Sequence, residues 1–358
     1  MSLELGTPQT LTIATVLALV TIPLLYPQIP TWLKTTTSLL LPNLQKEKSK
    51  KKQQPSSEIL SLRIYPIKSC RGLRLQKTTL HMEGLDLDRR WMLVDAKTYE
   101  FLTIRQIPEM TLINTALSPN SQWLVVTFTD VPDKEVRVPL RPDAAWLDAH
   151  TTLGQVNIWD IDTDAYIYGP EVNGPFCDFL GRDVCLVYKG PTPRVMRGNG
   201  DPELLGRTQN VNFPDVHPVL IASEASMAEL NSRLVAKGEE PIEVERFRAN
   251  VIIRGDEPWV EDEWKVVRIV DGEGKALEFD VLARCARCQV PNVDPDTAVK
   301  HRTQPWNTLM SYRRVDEGMK YKPCFGMLCA PRGEGALEVG MRFDVLEVTD
   351  EHRYIKGF

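Results

Sequence analysis

Short runs of alternating apolar and polar residues recur along this chain, and turn residues close each one before it can become a helix. Residues 59–65, 90–94, 110–113, 123–128 and 136–138 read as strands in the first half, because side chains two apart share one face of a pleated sheet. Residues 185–188, 251–253, 264–270, 277–282 and 337–348 continue the pattern. The links between early runs, such as Ser118-Pro119-Asn120 and Asp130-Val131-Pro132-Asp133, are too short for crossover helices and predict antiparallel pairing.

Helices are few. One is expected over 175–180, closed by Gly181. A second is capped by Ser223, carries Glu224 in its first turn, places Met227, Leu230 and Leu234 on one face and ends at Gly238. Between them residues 190–213 are rich in Gly, Pro, Asn and Arg, and a long irregular stretch of this kind is functional or mobile. The fold class is therefore α+β and β-rich, with domains expected at 58–190 and 191–358 behind an N-terminal segment, 1–57. At 42% hydrophobic and 25% charged residues the composition is globular, and a net charge of −5 gives no general nucleic-acid footprint.

No charged residue occurs from Leu5 to Leu33, and residues 11–26 are almost wholly apolar. With its flanks this run reaches the ~20 residues of a spanning helix. Glu4 is the one charged side chain in the ten residues before it, so the positive region of a secretory signal is missing. Lys34, Lys46, Lys48, Lys50, Lys51 and Lys52 follow it, which predicts a single-pass anchor with the large C-terminal part in the cytosol. Residues 45–57 read as a solvated tether whose lysines can touch anionic head groups.

The chemistry centres on residues 283–297, where Cys285 and Cys288 follow a strand and precede Pro291 and Pro295. A thioredoxin-like dithiol needs a helix after its thiols, which these prolines refuse. A zinc site would have to recruit Cys324 and Cys329, which are separated by four residues and have no His nearby. Two further readings stay open: small buried hydrophobes, or one thiolate on a soft transition metal with the other structural. Seven cysteines is an odd number, and disulfides are not expected in a cytosolic domain. No Gly-x-Gly-x-x-Gly follows a predicted strand, so no nicotinamide or flavin site is expected. Lys68 and Ser69 lie in a turn directly after a strand, where ammonium, hydroxyl and backbone N–H can converge on one anion. Arg89 and Arg248 each stand close before a strand, though any one such cation alone is commonly solvated surface.

Three motifs in order extend the reading: Tyr65-Pro-Ile-Lys-Ser-Cys70, Phe247-Arg-Ala-Asn-Val251, and Arg287-Cys288 followed by Val293-Asp-Pro-Asp-Thr297. They make residues 58–348 similar to the MOSC family, and within it to the amidoxime-reducing components, which are molybdenum enzymes. The resemblance implies a β-barrel in the second domain and a molybdenum–molybdopterin cofactor (Moco). Cys288 would be the metal ligand and catalytic residue, with Cys285 a bystander. The cofactor's dithiolene and oxo or hydroxo groups would supply the remaining donors. By the same resemblance Lys68, Ser69, Arg89 and Arg248 contact the phosphate and pterin, Asp215 to His217 line the other side, and Ala286 and Arg287 contribute beside Cys288. Two positions depart from relatives. Ala286 removes a hydroxyl where Ser is frequent, and Leu328 stands where an aromatic wall residue can occur.

The activity so implied is reduction of N-hydroxylated substrates such as amidoximes and hydroxylamines. Its electrons would come from cytochrome b5 and the NADH-dependent cytochrome b5 reductase. The implied location is the mitochondrial outer membrane, with the endoplasmic reticulum as the alternative. A different function is a Moco carrier or sulfur-transfer module, since MOSC domains also end Moco sulfurases. Those enzymes carry a pyridoxal-phosphate desulfurase domain, for which the two domains read here leave no room. A third is a membrane-tethered binding protein with a degenerate site that holds no molybdenum.

Overall fold

Seven strands close on themselves in the computed structural model, which describes residues 57–357. Val251–Ile253 runs parallel to Val219–Ser223, and the sheet continues antiparallel through Cys324–Pro331, Ala276–Ala286, Trp264–Val270, Arg342–Val348 and Ser57–Ile64. Ser57–Ile64 then pairs back onto Val251–Ile253, so the barrel has no free edge, and Leu73–Leu75 is added outside it. The barrel thus draws its first strand from the early part of the chain.

Two antiparallel sheets complete the early half. One orders Trp91–Asp95, Val184–Lys189, Ile161–Tyr168 and Thr151–Ile158, and the other is the meander Ile113–Leu117, Trp123–Phe128, Val131–Pro139. A small sheet joins Lys77–His81 and Gly84–Leu85 to Gly335–Glu338. One apolar cluster runs through barrel and early sheets alike, including Ile59, Trp91, Phe128, Phe176, Val219, Phe279 and Phe343.

Alternation found the strands with one wet face, such as Trp123–Phe128, whose residues are in turn half-buried and buried. It missed Val219–Ser223 and Cys324–Pro331, in which every residue is buried, because a strand covered on both faces shows no period of two. It also missed the hairpin Thr151–Ile158 to Ile161–Tyr168. Its two-residue turn, Trp159-Asp160, has φ of 55° and 59°, the left-handed pair usually supplied by Asn-Gly.

Four expectations need correction. The predicted strand at 110–113 is a 3-10 turn, Pro108–Leu112, leading into Ile113–Leu117. Residues 337–348 form two strands, Gly335–Glu338 and Arg342–Val348, in different sheets. The helix expected from 175 begins at Pro170 and runs to Leu180 with Pro175 inside. Packing outweighs the proline there, since Asn173 donates to Tyr168 O at 2.6 Å and accepts from Leu186 N at 2.8 Å. Glu224–Val235 is helical, but Ser223 makes no side-chain capping bond.

The apolar run at 11–26 and the lysine tether up to residue 56 lie outside the described residues. Among the described residues no helix is long and apolar enough to cross a membrane.

Candidate functional site

Ala276–Ala286 delivers Cys288 to a loop that its own sequence stiffens. The strand ends at Ala286, Arg287 N–H bonds Pro323 O at 2.8 Å, and Val290–Asn292 turns away as a 3-10 segment. Beyond it, Arg246 pairs with Asp294 at 2.6 Å and Arg71 pairs with Asp296. The loop bearing Cys288 is therefore tied to the turn after Cys70 and to the turn Val244–Phe247.

These segments meet at one cavity of about 360 Å³. All nine sequence-predicted residues line it: Lys68, Ser69, Arg89, Asp215, His217, Arg248, Ala286, Arg287 and Cys288. The barrel register brings them together, with Arg63 N–H bonded to Asn250 O at 2.8 Å and the Asn250 N–H to Leu220 O at 2.8 Å. Three of the nine sit on left-handed backbone, Ser69 at φ 69°, Arg89 at 50° and Arg248 at 58°. Each such non-glycine position costs about 1–2 kcal/mol, and strain of this kind collects where side chains must be aimed.

The charges are unevenly matched. Lys68 is buried, donates to Phe213 O at 3.0 Å and pairs with Asp215, while burial pulls its pKa down to about 8. Partial burial opposes ionisation of Asp215, but Lys68, Arg105 and the Trp159 indole N–H hold its carboxylate below the usual range. Arg89 pairs with Asp88 and donates to Arg248 O at 3.2 Å and Asn250 Oδ1 at 3.3 Å. Arg248 lies 4.1 Å from the Tyr65 ring and donates through Nη1 to Cys70 O at 2.8 Å, yet its buried Nη2 has no partner. Arg287 reaches Phe247 O at 2.9 Å and the Cys285 sulfur at 3.0 Å, leaving its buried Nε unpaired. Burial raises the Cys285 thiol pKa against the pull of Arg287. His217 is buried, and burial lowers its pKa to about 4 against a backbone contact with Val216.

The donor set fits an anionic, polar, metal-bearing group. Buried donors left unpaired are costly, and here they line a cavity rather than packed core. Among the described residues no cluster of three or more His, Cys, Asp or Glu is arranged to hold a metal. A metal at Cys288 would therefore take most of its donors from outside the chain, and Cys285 is already engaged by Arg287.

Sequence reasoning missed several lining residues. Asn250 lies inside a quoted motif, and its Oδ1 accepts from Leu220 N at 3.1 Å and from Arg89. Arg105 sits 4.5 Å from the Trp159 ring at the same wall, and no local pattern marks either residue. Leu328 does line the cavity, but aromatic surface comes from Trp159, Phe247 and Tyr354 instead.

Comparison with known proteins agrees with this geometry. Residues 56–183 match the MOSC N-terminal beta barrel domain and residues 208–344 match the MOSC domain. The chain is 31% identical over 301 residues to mitochondrial amidoxime-reducing component 1 of Mus musculus, covering 81% of this chain and 83% of that protein. Against the Homo sapiens protein of the same name it is 28% identical over 296 residues, covering 80% and 82%. It is 35% identical over 309 residues to a molybdenum cofactor sulfurase of Arabidopsis thaliana, covering 82% of this chain but 35% of that longer protein.

Proposed function

The chain belongs to the MOSC family, and from that premise we propose that it is a Moco-dependent reductase of N-hydroxylated compounds such as amidoximes and hydroxylamines. The observation that carries the reading is the meeting of Cys288 with Lys68, Ser69, Arg89, Arg248 and Arg287 at one cavity whose buried donors are incompletely paired. Cys288 is the residue to hold the metal. Lys68, Ser69, Arg89 and Arg248 are placed to hold a phosphate and pterin, and Asp215 and His217 to bound it. When bound, the cofactor supplies two electrons and takes up one oxygen atom, so N–OH with two electrons and two protons becomes N–H and water. The chain's part is to orient and to shield. Arg287 keeps Cys285 occupied, so that thiol does not compete for the metal.

We further propose cytochrome b5 and its NADH-dependent reductase as the electron source. The location we propose is the mitochondrial outer membrane, through residues 11–26, with the endoplasmic reticulum as the alternative. Support comes from relatives named mitochondrial amidoxime-reducing components at about 30% identity. A second reading, a Moco carrier or sulfur-transfer module, is favoured by the 35% identity to part of a molybdenum cofactor sulfurase.

The test is molybdenum and pterin content of the full chain from a host that makes the cofactor, with benzamidoxime turnover on cytochrome b5 and its reductase. We expect stoichiometric metal and turnover. Cys288→Ala should lose the metal while its melting temperature holds, and Cys285→Ala should keep it. Metal without turnover favours the carrier. Full metal in Cys288→Ala would overturn the ligand assignment.

A further inference from the structure

The segment from His352 to Gly357 has no regular structure and lies beyond the matched MOSC domain, yet it is held as firmly as a strand. Arg284 Nη1 donates to His352 O at 2.9 Å. The Asn199 side chain brackets the next residues, Nδ2 donating to Arg353 O at 2.8 Å and Oδ1 accepting from Ile355 N at 2.7 Å. Between them, Tyr354 N–H donates to Asp316 Oδ1 at 2.9 Å, and Asp316 is buried. Three consecutive peptide groups are thus fastened by side chains from three separate parts of the barrel half.

The groove is also cut to fit. A Cβ on Gly318 would lie 2.0 Å from Tyr354 O, and one on Gly198 would lie 2.4 Å from Ile355 O. Any side chain at either glycine would displace the segment. What the groove delivers is Tyr354, 7% exposed, packed in one apolar cluster with Phe247, Leu328, Cys285 and Ala286. Tyr354 and Lys356 line the cavity that holds Cys288.

We propose that His352–Gly357 is a strap that forms part of the wall of the site, and that the Tyr354 ring sets how bulky a molecule can approach Cys288. Tyr354 is a specificity-determining residue in this account, acting through the space its ring fills. The substrate half of the inference rests on the reductase reading, whereas the wall itself does not.

Two measurements on the full chain separate them. In cofactor-free protein, labelling of Cys288 is followed by peptide mass spectrometry with iodoacetamide and with a bulky maleimide. Tyr354→Ala and Asn199→Ala should speed the bulky reagent about tenfold over the small one, while Tyr354→Phe should match the parent. Equal acceleration of both reagents, or of neither, would overturn the strap as a wall. In holoenzyme, the ratio of kcat/KM for a large over a small N-hydroxylated substrate should rise about tenfold in Tyr354→Ala, mainly through KM, with molybdenum content unchanged. An unchanged ratio in an active enzyme overturns the specificity role alone. If no variant or parent turns over, the labelling result still decides the wall. A chain ending at Arg353 repeats the labelling, and Asn199→Ala answers the question should that chain not fold.

Discussion

Two groups of inward-facing charge in the barrel half are resolved in opposite ways. Around Arg313, carboxylates match the cations: Arg313 Nη2 donates to both Asp262 oxygens, at 2.8 and 2.7 Å, and Arg284 lies 3.9 Å from Asp262 and 3.7 Å from Asp316. Around the cavity the match fails. Lys68 and Arg89 have Asp215 and Asp88, but Arg248 and Arg287 have no ion-pair carboxylate among the described residues. Buried charge that is internally matched holds a fold in one arrangement, whereas buried charge in surplus is complementary to something that arrives. That difference supports an anionic cofactor at the cavity and a structural role at Arg313.

The comparison breaks most visibly by deleting one arginine from each side. Arg313→Met removes the buried cation and leaves half-buried Asp262 with Arg284 alone, at 3.9 Å, which should cost about 3 kcal/mol in urea unfolding. Arg248→Met removes one hydrogen bond and a ring contact while relieving repulsion from Arg89, so it should cost only about 1 kcal/mol. Its cofactor retention should nonetheless fall by about tenfold or more, the loss of one charge-assisted bond to an anion. Equal destabilisation with equal retention would erase the distinction.

Glu261 sharpens the structural side. It is fully buried beside Asp262, and burial raises its pKa to about 7 against the pull of Ser226 and Arg313. A carboxyl with a raised folded pKa contributes its full stability below the unfolded value, near 4.5, and loses it as pH climbs toward 7. Stability should therefore fall by on the order of 2–3 kcal/mol between pH 5 and 8 from this group. Glu261→Gln should flatten that slope, and a parent-like slope in the variant would remove Glu261 from the account.

How much of this could be read from the chain follows from what is local. Lys68, Arg248 and Cys288 lie in the three motifs that resemble the MOSC family, and that resemblance rather than their own turns is what anticipated a shared site. Asn250 lay inside a quoted motif and was passed over, because its work is to bond a backbone in another strand. Trp159 and Tyr354 could not be read at all. One occupies a left-handed turn position without a turn residue, and the other reaches the wall only because Asn199 and Asp316 hold its segment. The barrel's closure was invisible for a related reason, since Ser57–Ile64 meets Val251–Ile253 across nearly two hundred residues and its all-buried partners lack alternation.

The finest test of the surplus is the titration of Lys68, because one proton there moves two observables in opposite directions. Burial depresses its pKa from 10.5 to about 8, so the folded state disfavours the charged amine and stability should rise as pH climbs from 8 toward 10.5. An anion in the cavity needs that same charge. Sulfate keeps a fixed charge over this range, so its affinity for cofactor-free protein should weaken about five- to tenfold between pH 7 and 9, as one titrating partner allows. Lys68→Arg should hold the affinity level across that range, and Lys68→Met should lower it throughout. If sulfate affinity in the parent ignored pH while stability still rose, Lys68 would belong with Asp215 as a closed pair. The anion would then be met by Arg248 and Arg287, the two cations that the fold leaves without a carboxylate.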